Sequence, residues 1–248
     1  MIARAASPDH GVAELHTILS IWAHPDDETY LAGGVMAAAR ANGQRVVCVS
    51  ATAGERGTPD PASWPPERLG ALRRAEAAAA MAVLGIDDHR FLGLPDGELD
   101  HHDVRGRDLI GRLIDDVRPD TILTFGPDGV TFHPDHIAVH RWVTAAWELR
   151  GRPGRLLYAA SSTEHLARFG ELYERWGIYM SEERPTGARP DELAVHLTIG
   201  GPHLDRKLAA LAAMPSQTGD AMSTIDPEIY AASITEESFV DASTVGPG

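Results

Sequence analysis

A single cysteine, Cys48, occurs in the 248 residues, so an intrachain disulfide is excluded, and a cysteine-built structural zinc site with it. Its surroundings, RVVCVSA, are apolar and β-branched, which reads as a buried core thiol rather than a nucleophile. A reducing, cytoplasmic setting is the corresponding expectation. Positive charge is also scarce: 22 Lys and Arg stand against 36 Asp and Glu, for a net charge of -14. Such a surface repels phosphate backbones and acidic lipids, so neither nucleic acid nor an anionic membrane is an expected partner. Long apolar runs are missing as well. TILSIWA (17–23) is too short to span a bilayer, and MIARAASPDHGVAELH (1–16) has no apolar stretch of the kind a secretory leader needs. No membrane insertion is expected.

What the chain does have is 43% apolar residues, ample for a core at this length. Apolar runs at 15–23, 45–52, 89–94 and 121–127 read as buried strands. Segments 29–43, 66–85 and 106–119 between them show helical spacing, two ending at Gly and one at Pro. A fourth helix over 135–151 leads to a fifth strand at 155–162. This alternation predicts an α/β chain with a Rossmann-like parallel sheet and helices on both faces. The last third is less regular, with a strand candidate at 192–199, a helix at 203–214 and a weakly patterned tail from Pro227. No linker or internal repeat divides the chain. The expectation is one domain over 1–248, with a core at about 15–162 and a C-terminal extension from about 163 on the substrate side.

In open parallel sheets a ligand sits beyond the carboxyl ends of the strands, and the polar clusters fall there. AHPDDE (23–28) follows strand one, AGERGTPD (53–60) strand two, PDGELDHH (95–102) strand three and DGVTFHPDH (128–136) strand four. The first loop offers His24 and Asp27, the fourth His133, Asp135 and His136. Imidazole nitrogen and carboxylate oxygen suit zinc and its neighbours. Two ligands close in sequence plus one from a distant loop leave a position for water, the arrangement of a catalytic site. Zinc lowers the pKa of bound water from about 16 to about 7, and either Asp26 or Asp27 takes the proton while the other binds the ion. The remaining histidine then hydrogen-bonds an oxyanion or protonates a leaving group. Hydrolysis of an amide or ester fits these parts. A dinucleotide-binding oxidoreductase does not: HPDDE fills the place of the glycine-rich phosphate turn and repels pyrophosphate. Gly33 and Gly34 come too late for that turn and read as close helix packing.

AHPDDE, TAGERG (52–57), LPDGEL (94–99) and HPDH (133–136), each after a strand, resemble the LmbE-like, PIG-L-type N-acetylglucosaminyl de-N-acetylases. The resemblance runs from about Ile18 to Ala145, with an echo in KLAALAAMPSQ (207–217). It implies a Rossmann-like fold and a zinc-dependent hydrolase of acetamido sugars, without a nucleotide cofactor; Fe2+ and Co2+ are the alternative metals. It further implies that His24, Asp27 and His136 bind the metal and that Asp26 is the general base. His133 would stabilise the oxyanion or act as general acid, oriented by Asp135. Glu28 would support the helix start rather than bind the ion. Arg73 and Asp96 match positions that face the sugar, with Glu55 and Gln217 as further substrate contacts. Against this, Arg73 can simply pair with Glu76 or Glu55 at the surface, and Asp96-Gly97 is a good turn in its own right.

His101 and His102 read as solvated, and His140 as facing its neighbours. The chain departs from the pattern at Thr131, where a tyrosine is common, and at Met214, where a histidine is expected to reach the sugar. The implied function is removal of an N-acetyl group from an N-acetylglucosamine-type conjugate. The competing readings are an amidase on a sugar conjugate or antibiotic intermediate, and a sugar-binding relative without activity. The substrate side calls for a small amino-sugar conjugate as partner, and a homo-oligomer is compatible with the sequence.

Overall fold

Strands buried along their whole length need cover on both faces, and this chain supplies it. All residues of β1 (Ile18–Trp22), β2 (Val46–Ser50) and β4 (Thr121–Phe125) are buried, as expected of a parallel sheet between helical layers. The computed structural model describes residues 8–245; the leader reading for residues 1–7 and the outer limits of the 1–248 domain lie outside them. With β3 (Asp88–Phe91), β5 (Arg155–Ala160), β6 (Leu193–Thr198) and β7 (Glu236–Asp241), one sheet forms in the order β3-β2-β1-β4-β5-β7-β6. A short helix, α1 (Pro8–Ala13), precedes β1. Helices α2 (Asp27–Ala41) and α3 (Pro66–Leu84) pack with α7 (Gly201–Ala212), while α4 (Asp103–Val117) packs with α5 (Pro134–Leu149). The described residues form a single α/β domain.

Strand order decides where a site can form. After β1 the chain builds outward through β2 and β3, then returns to lay β4 on the other side of β1. The loops following β1 and β4 therefore diverge from adjacent strands, the switch point at which open α/β sheets bind ligands.

Three expectations need correction. The run 89–94 is not a buried strand: β3 ends at Phe91 and is half-buried, because it is an edge with one neighbour. The sheet is not wholly parallel, since β7 pairs antiparallel with both β5 and β6. Within the tail, residues 227–241 form α9 (Pro227–Ser233) and β7, and two further helices escape the sequence pattern, α6 (Thr163–Trp176) and α8 (Pro215–Thr224).

One interior feature ties this last third to the first. Lys207, the only lysine in the sequence, is fully buried with Glu237 at 2.7 Å. Its ammonium also donates to Tyr30 O (2.7 Å), and Glu237 accepts from the N–H groups of Gly34 and Val35 (both 2.7 Å). In a regular helix Gly34 N–H serves Tyr30 O; here each has a partner in the ion pair, inside α2. Gly34 is needed because a Cβ there would lie 2.6 Å from Ile199. Cys48 is buried, and burial pushes its thiol pKa up, as befits an inert core residue.

Candidate functional site

The turn HPDD is held by its own side chains. Asp27 Oδ2 accepts from His24 N (2.8 Å), and Glu28 accepts from Asp26 N (3.2 Å). Asp26 takes φ 106° at the start of α2, strained backbone for a residue with a Cβ. Glu28 is fully buried, and burial, with the neighbouring Asp26 charge, pushes its pKa up to about 8. It braces the helix start, accepting from Asp26 N and from Thr29 Oγ1 (2.8 Å). The HPDH turn is strained in the same way, with positive φ at Val130 and Phe132 just before His133.

These two loops bring three donor atoms together. His24 Nδ1 lies 3.5 Å from Asp27 Oδ2 and 3.3 Å from His136 Nε2, which is 3.3 Å from Asp27 Oδ1. Ligands about 2.05 Å from a tetrahedral zinc stand roughly 3.3 Å apart, so the spacing matches. The tautomers match too. His136 Nδ1 donates to the carbonyl of Gly129 (2.9 Å), and Thr131 Oγ1 is 3.2 Å away. His24 Nε2 meets Asp96 Oδ1 (3.0 Å) and Asp135 Oδ2 (3.2 Å). With those hydrogens pointing outward, both inward nitrogens present lone pairs beside a carboxylate, and a cation among them relieves the repulsion. The His136 ring stacks on Phe125, at 4.1 Å and 13°, and Gly129 has no room for a Cβ, which would lie 2.7 Å from that of His136.

Titration behaviour follows from this crowding. Burial opposes charge on His24, but Asp135, Asp27 and Asp96 outweigh it and hold its pKa well above the ordinary value, so a cation binding at Nδ1 displaces a proton from that nitrogen. Burial likewise works against the Asp27 anion, yet His136 and His24 hold its pKa well below the usual carboxylate range. His136 is pushed down to about 4, chiefly by burial, so its ring is neutral as a ligand must be. Asp26 goes the other way: burial raises it to about 7, with the Asp27 charge adding and Arg73 opposing. His133 is lowered by burial and by its neighbour His24. Its Nδ1 accepts from the backbone N–H of Asp135 (3.1 Å), which leaves the ring proton on Nε2.

The remaining candidates lie near the site, each with partners in the fold. The Asp135 carboxylate accepts from Gly97 N (2.7 Å) and Leu99 N (3.1 Å) as well as from His24. The Asp135 backbone N–H meets His133 Nδ1, while the Asp135 side chain is engaged by Gly97, Leu99 and His24 on two other loops. Asp96, expected at a sugar hydroxyl, is buried against His24 and accepts from Arg56 N (2.7 Å). Glu55 accepts from Asp96 N (2.9 Å) and Ala53 N (3.2 Å), tying two loops together. Arg73 is only 4% exposed. It donates to Gly54 O (2.8 Å) and Pro25 O (2.6 Å) and lies 3.5 Å from Asp26, so the surface pairing with Glu76 or Glu55 is ruled out. Glu76 instead accepts from Ser216 N (3.0 Å). Met214 is buried beneath the α7–α8 turn. His140 donates from Nδ1 to Phe125 O and packs on Tyr158.

Next to His136 and Asp27 opens a cavity of about 620 Å³, which Gln217 and Thr131 also line. Much of its wall comes from α6, α9 and β7, elements the sequence pattern did not disclose. Aromatic residues spaced along α6, Tyr173 and Trp176, were the signal available for it.

Comparison with known proteins places the chain among relatives. The family model "PIG-L: GlcNAc-PI de-N-acetylase" matches residues 19–147. A 1D-myo-inositol 2-acetamido-2-deoxy-alpha-D-glucopyranoside deacetylase from Saccharomonospora viridis is 34% identical, the match covering 87% of this chain and 88% of that one. A protein of the same name from Acidothermus cellulolyticus is 33% identical over 82% and 80% of the two chains. Among solved structures, N,N'-diacetylchitobiose deacetylase from Pyrococcus horikoshii superposes with a TM-score of 0.68 at 21% identity, covering 95% and 87% of the chains. The zinc-inhibited form of teicoplanin deacetylase gives 0.63 at 18% identity, covering 92% and 100%. These two show a shared fold. The family match over half the chain and the relatives aligned over most of it carry the conclusion: this chain belongs to the PIG-L family of GlcNAc-PI de-N-acetylases.

Proposed function

We propose that the protein hydrolyses the N-acetyl group of an N-acetylglucosamine-type conjugate, using water and a divalent metal held by His24, Asp27 and His136. The observation that carries this reading is the trio of inward donors 3.3–3.5 Å apart, two of them imidazole nitrogens with their hydrogens directed outward. A mixed nitrogen and oxygen donor set favours zinc, with Fe2+ and Co2+ as competitors. Once bound, such a cation supplies positive charge that acidifies water and polarises a carbonyl.

The chain's own groups do the rest. Asp26 accepts the proton of the attacking water, and Arg73, 3.5 Å from it, favours the ionised form that a base requires. His133 donates a hydrogen bond from Nε2 to the oxyanion that forms on the amide carbonyl, and the proton that Asp26 took from the water passes to the nitrogen as the C–N bond breaks. Acetate and the free amine leave. Asp96 and Asp135 orient His24 through Nε2, and Gly129 does the same for His136. Gln217 lines the cavity beside these groups and is placed for a sugar contact. Residues 15–162 then form the catalytic core, and the chain from 163 onward the substrate-side extension, within one fold. The single buried thiol suits a reducing cytoplasm, and no helix of the described residues is long and apolar enough to cross a membrane.

The test is acetate release from N-acetylglucosamine conjugates by the purified protein supplied with Zn2+, Fe2+ or Co2+. Asp26→Ala is expected to lower kcat by about 10²–10⁴-fold while metal content is kept. Unchanged turnover in that variant removes Asp26 from its role, and absence of turnover in the parent protein leaves a sugar-binding relative.

A further inference from the structure

The cavity is larger and less polar than an amino sugar alone requires, and we infer that its aromatic-walled chamber receives an apolar aglycone, aryl or alkyl, of the amino-sugar conjugate. This rests on the deacetylase reading above and goes beyond it by naming what the sugar carries. The cavity that Asp27 and His136 line is also walled by Tyr173, Trp176, Ile178, Tyr179, Ile225 and Tyr230. Trp176 lies between two of these rings, 6.0 Å from Tyr173 and 6.2 Å from Tyr230. Such surfaces gain by covering hydrocarbon and by stacking on a ring.

Several polar groups around these rings are already engaged within the fold. The hydroxyls of Tyr30 and Tyr230 pair at 2.8 Å. Tyr173 donates to Ser233 O (2.8 Å) and accepts from His165 Nε2 (2.6 Å). Glu236 accepts from Ser162 N (2.8 Å) and Oγ (2.7 Å). Glu237 is saturated by Lys207, Gly34 and Val35. A polyol such as inositol, buried against these rings, meets hydroxyls and carboxylates that are already paired, and unpaired hydroxyls are costly to bury. An anionic group fares no better. Arg175, an exposed residue, is the one guanidinium or ammonium among the described lining residues, against Asp27, Asp220, Glu236 and Glu237. A neutral apolar group satisfies both constraints.

The experiment compares kcat/KM for acetate release from phenyl and octyl N-acetylglucosaminides, N-acetylglucosaminyl-inositol and N-acetylglucosamine itself, using the metal-loaded full chain. At least one apolar glycoside is expected to exceed the inositol conjugate by tenfold or more, mainly through a lower KM; which of the two leads distinguishes a ring from a chain. Trp176→Ala and Ile178→Ser are each expected to reduce that ratio, with metal content and circular dichroism confirming that the variants fold. An inositol conjugate processed as well as the apolar ones overturns the inference and leaves the deacetylase reading standing. So does a ratio that neither variant changes. Failure of all four compounds, the bare sugar included, overturns the deacetylase reading and the inference with it.

Discussion

The rim built by the loops after β1 to β4 and the wall built by residues 163–241 enclose one cavity with opposite chemistry. On the rim, polar side chains are aimed at one another across a switch point, and the backbone is strained to do it, as at Asp26 with φ 106° and Val130 with φ 65°. In the wall, polar groups are retired into pairs such as Tyr30–Tyr230 and Lys207–Glu237, and rings and aliphatic chains face the space between. The difference teaches a division of labour. Reaction chemistry needs a few donors at fixed spacing, which short contiguous motifs deliver. Recognition of the rest of a substrate needs area, which scattered residues from several late elements supply.

Substitutions on either side sharpen or break this contrast. The largest effect is expected on the rim, where Asp26→Ala abolishes most turnover without metal loss, as stated above. Next comes the strut between the two regions. Lys207→Met leaves Glu237 charged and buried without its ammonium partner, and an unpaired buried charge costs about 3–5 kcal/mol. Urea denaturation is expected to show a loss of that order, with much of it recovered in the Lys207→Met, Glu237→Gln pair. Recovery to less than half would mean that the pair does more than neutralise itself inside α2.

A smaller effect is expected for Asp96→Asn, which weakens one of the two acceptors on His24 Nε2. Metal affinity falls by about 10–100-fold, read by competition with a chelator, while substrate KM measured at saturating metal stays unchanged. A raised KM with unaltered metal affinity would return Asp96 to a sugar contact.

The smallest lies away from the cavity. Burial, with the charge of Arg74, lowers the His89 pKa to about 4. The neutral ring, 3.0 Å from Ser50 Oγ, belongs to the folded state. The unfolded chain binds the proton first, so this contribution is full above about pH 6.5 and is lost as pH falls toward 4, by roughly 2–3 kcal/mol. His89→Gln is expected to flatten the fall in stability between pH 7 and pH 5, and an unaltered slope would contradict the assignment.

The same division explains how much the sequence disclosed. His24, Asp26 and Asp27 are contiguous, as are His133, Asp135 and His136, and each trio follows a strand whose apolar run is plain. The convergence of the two loops, and the five parallel strands, were therefore legible. Asp96 and Asp135 were visible as polar loop residues, but their convergence on His24 Nε2 was not, because it joins side chains 72 and 111 positions away across two loops. β7 was hidden by its own buried glutamate: EESFVD does not alternate as an amphipathic strand should, since Glu237 is held inside by Lys207. α6 carries a clear apolar stripe, yet it follows a strand in the irregular third and has no loop motif to mark it. Met214 shows the limit of analogy. Where a histidine was expected to reach the sugar, a buried thioether closes the turn between α7 and α8.

The central claim is that loops more than a hundred positions apart grip one cation from both sides. Its most direct measurement is metal stoichiometry by elemental analysis, after loading and desalting, for the parent chain, His24→Ala and His136→Ala. The account predicts about one equivalent of divalent metal in the parent, as in a three-ligand catalytic site, and close to none in either variant. Full retention of metal in His136→Ala, or no metal in the parent at all, would contradict it.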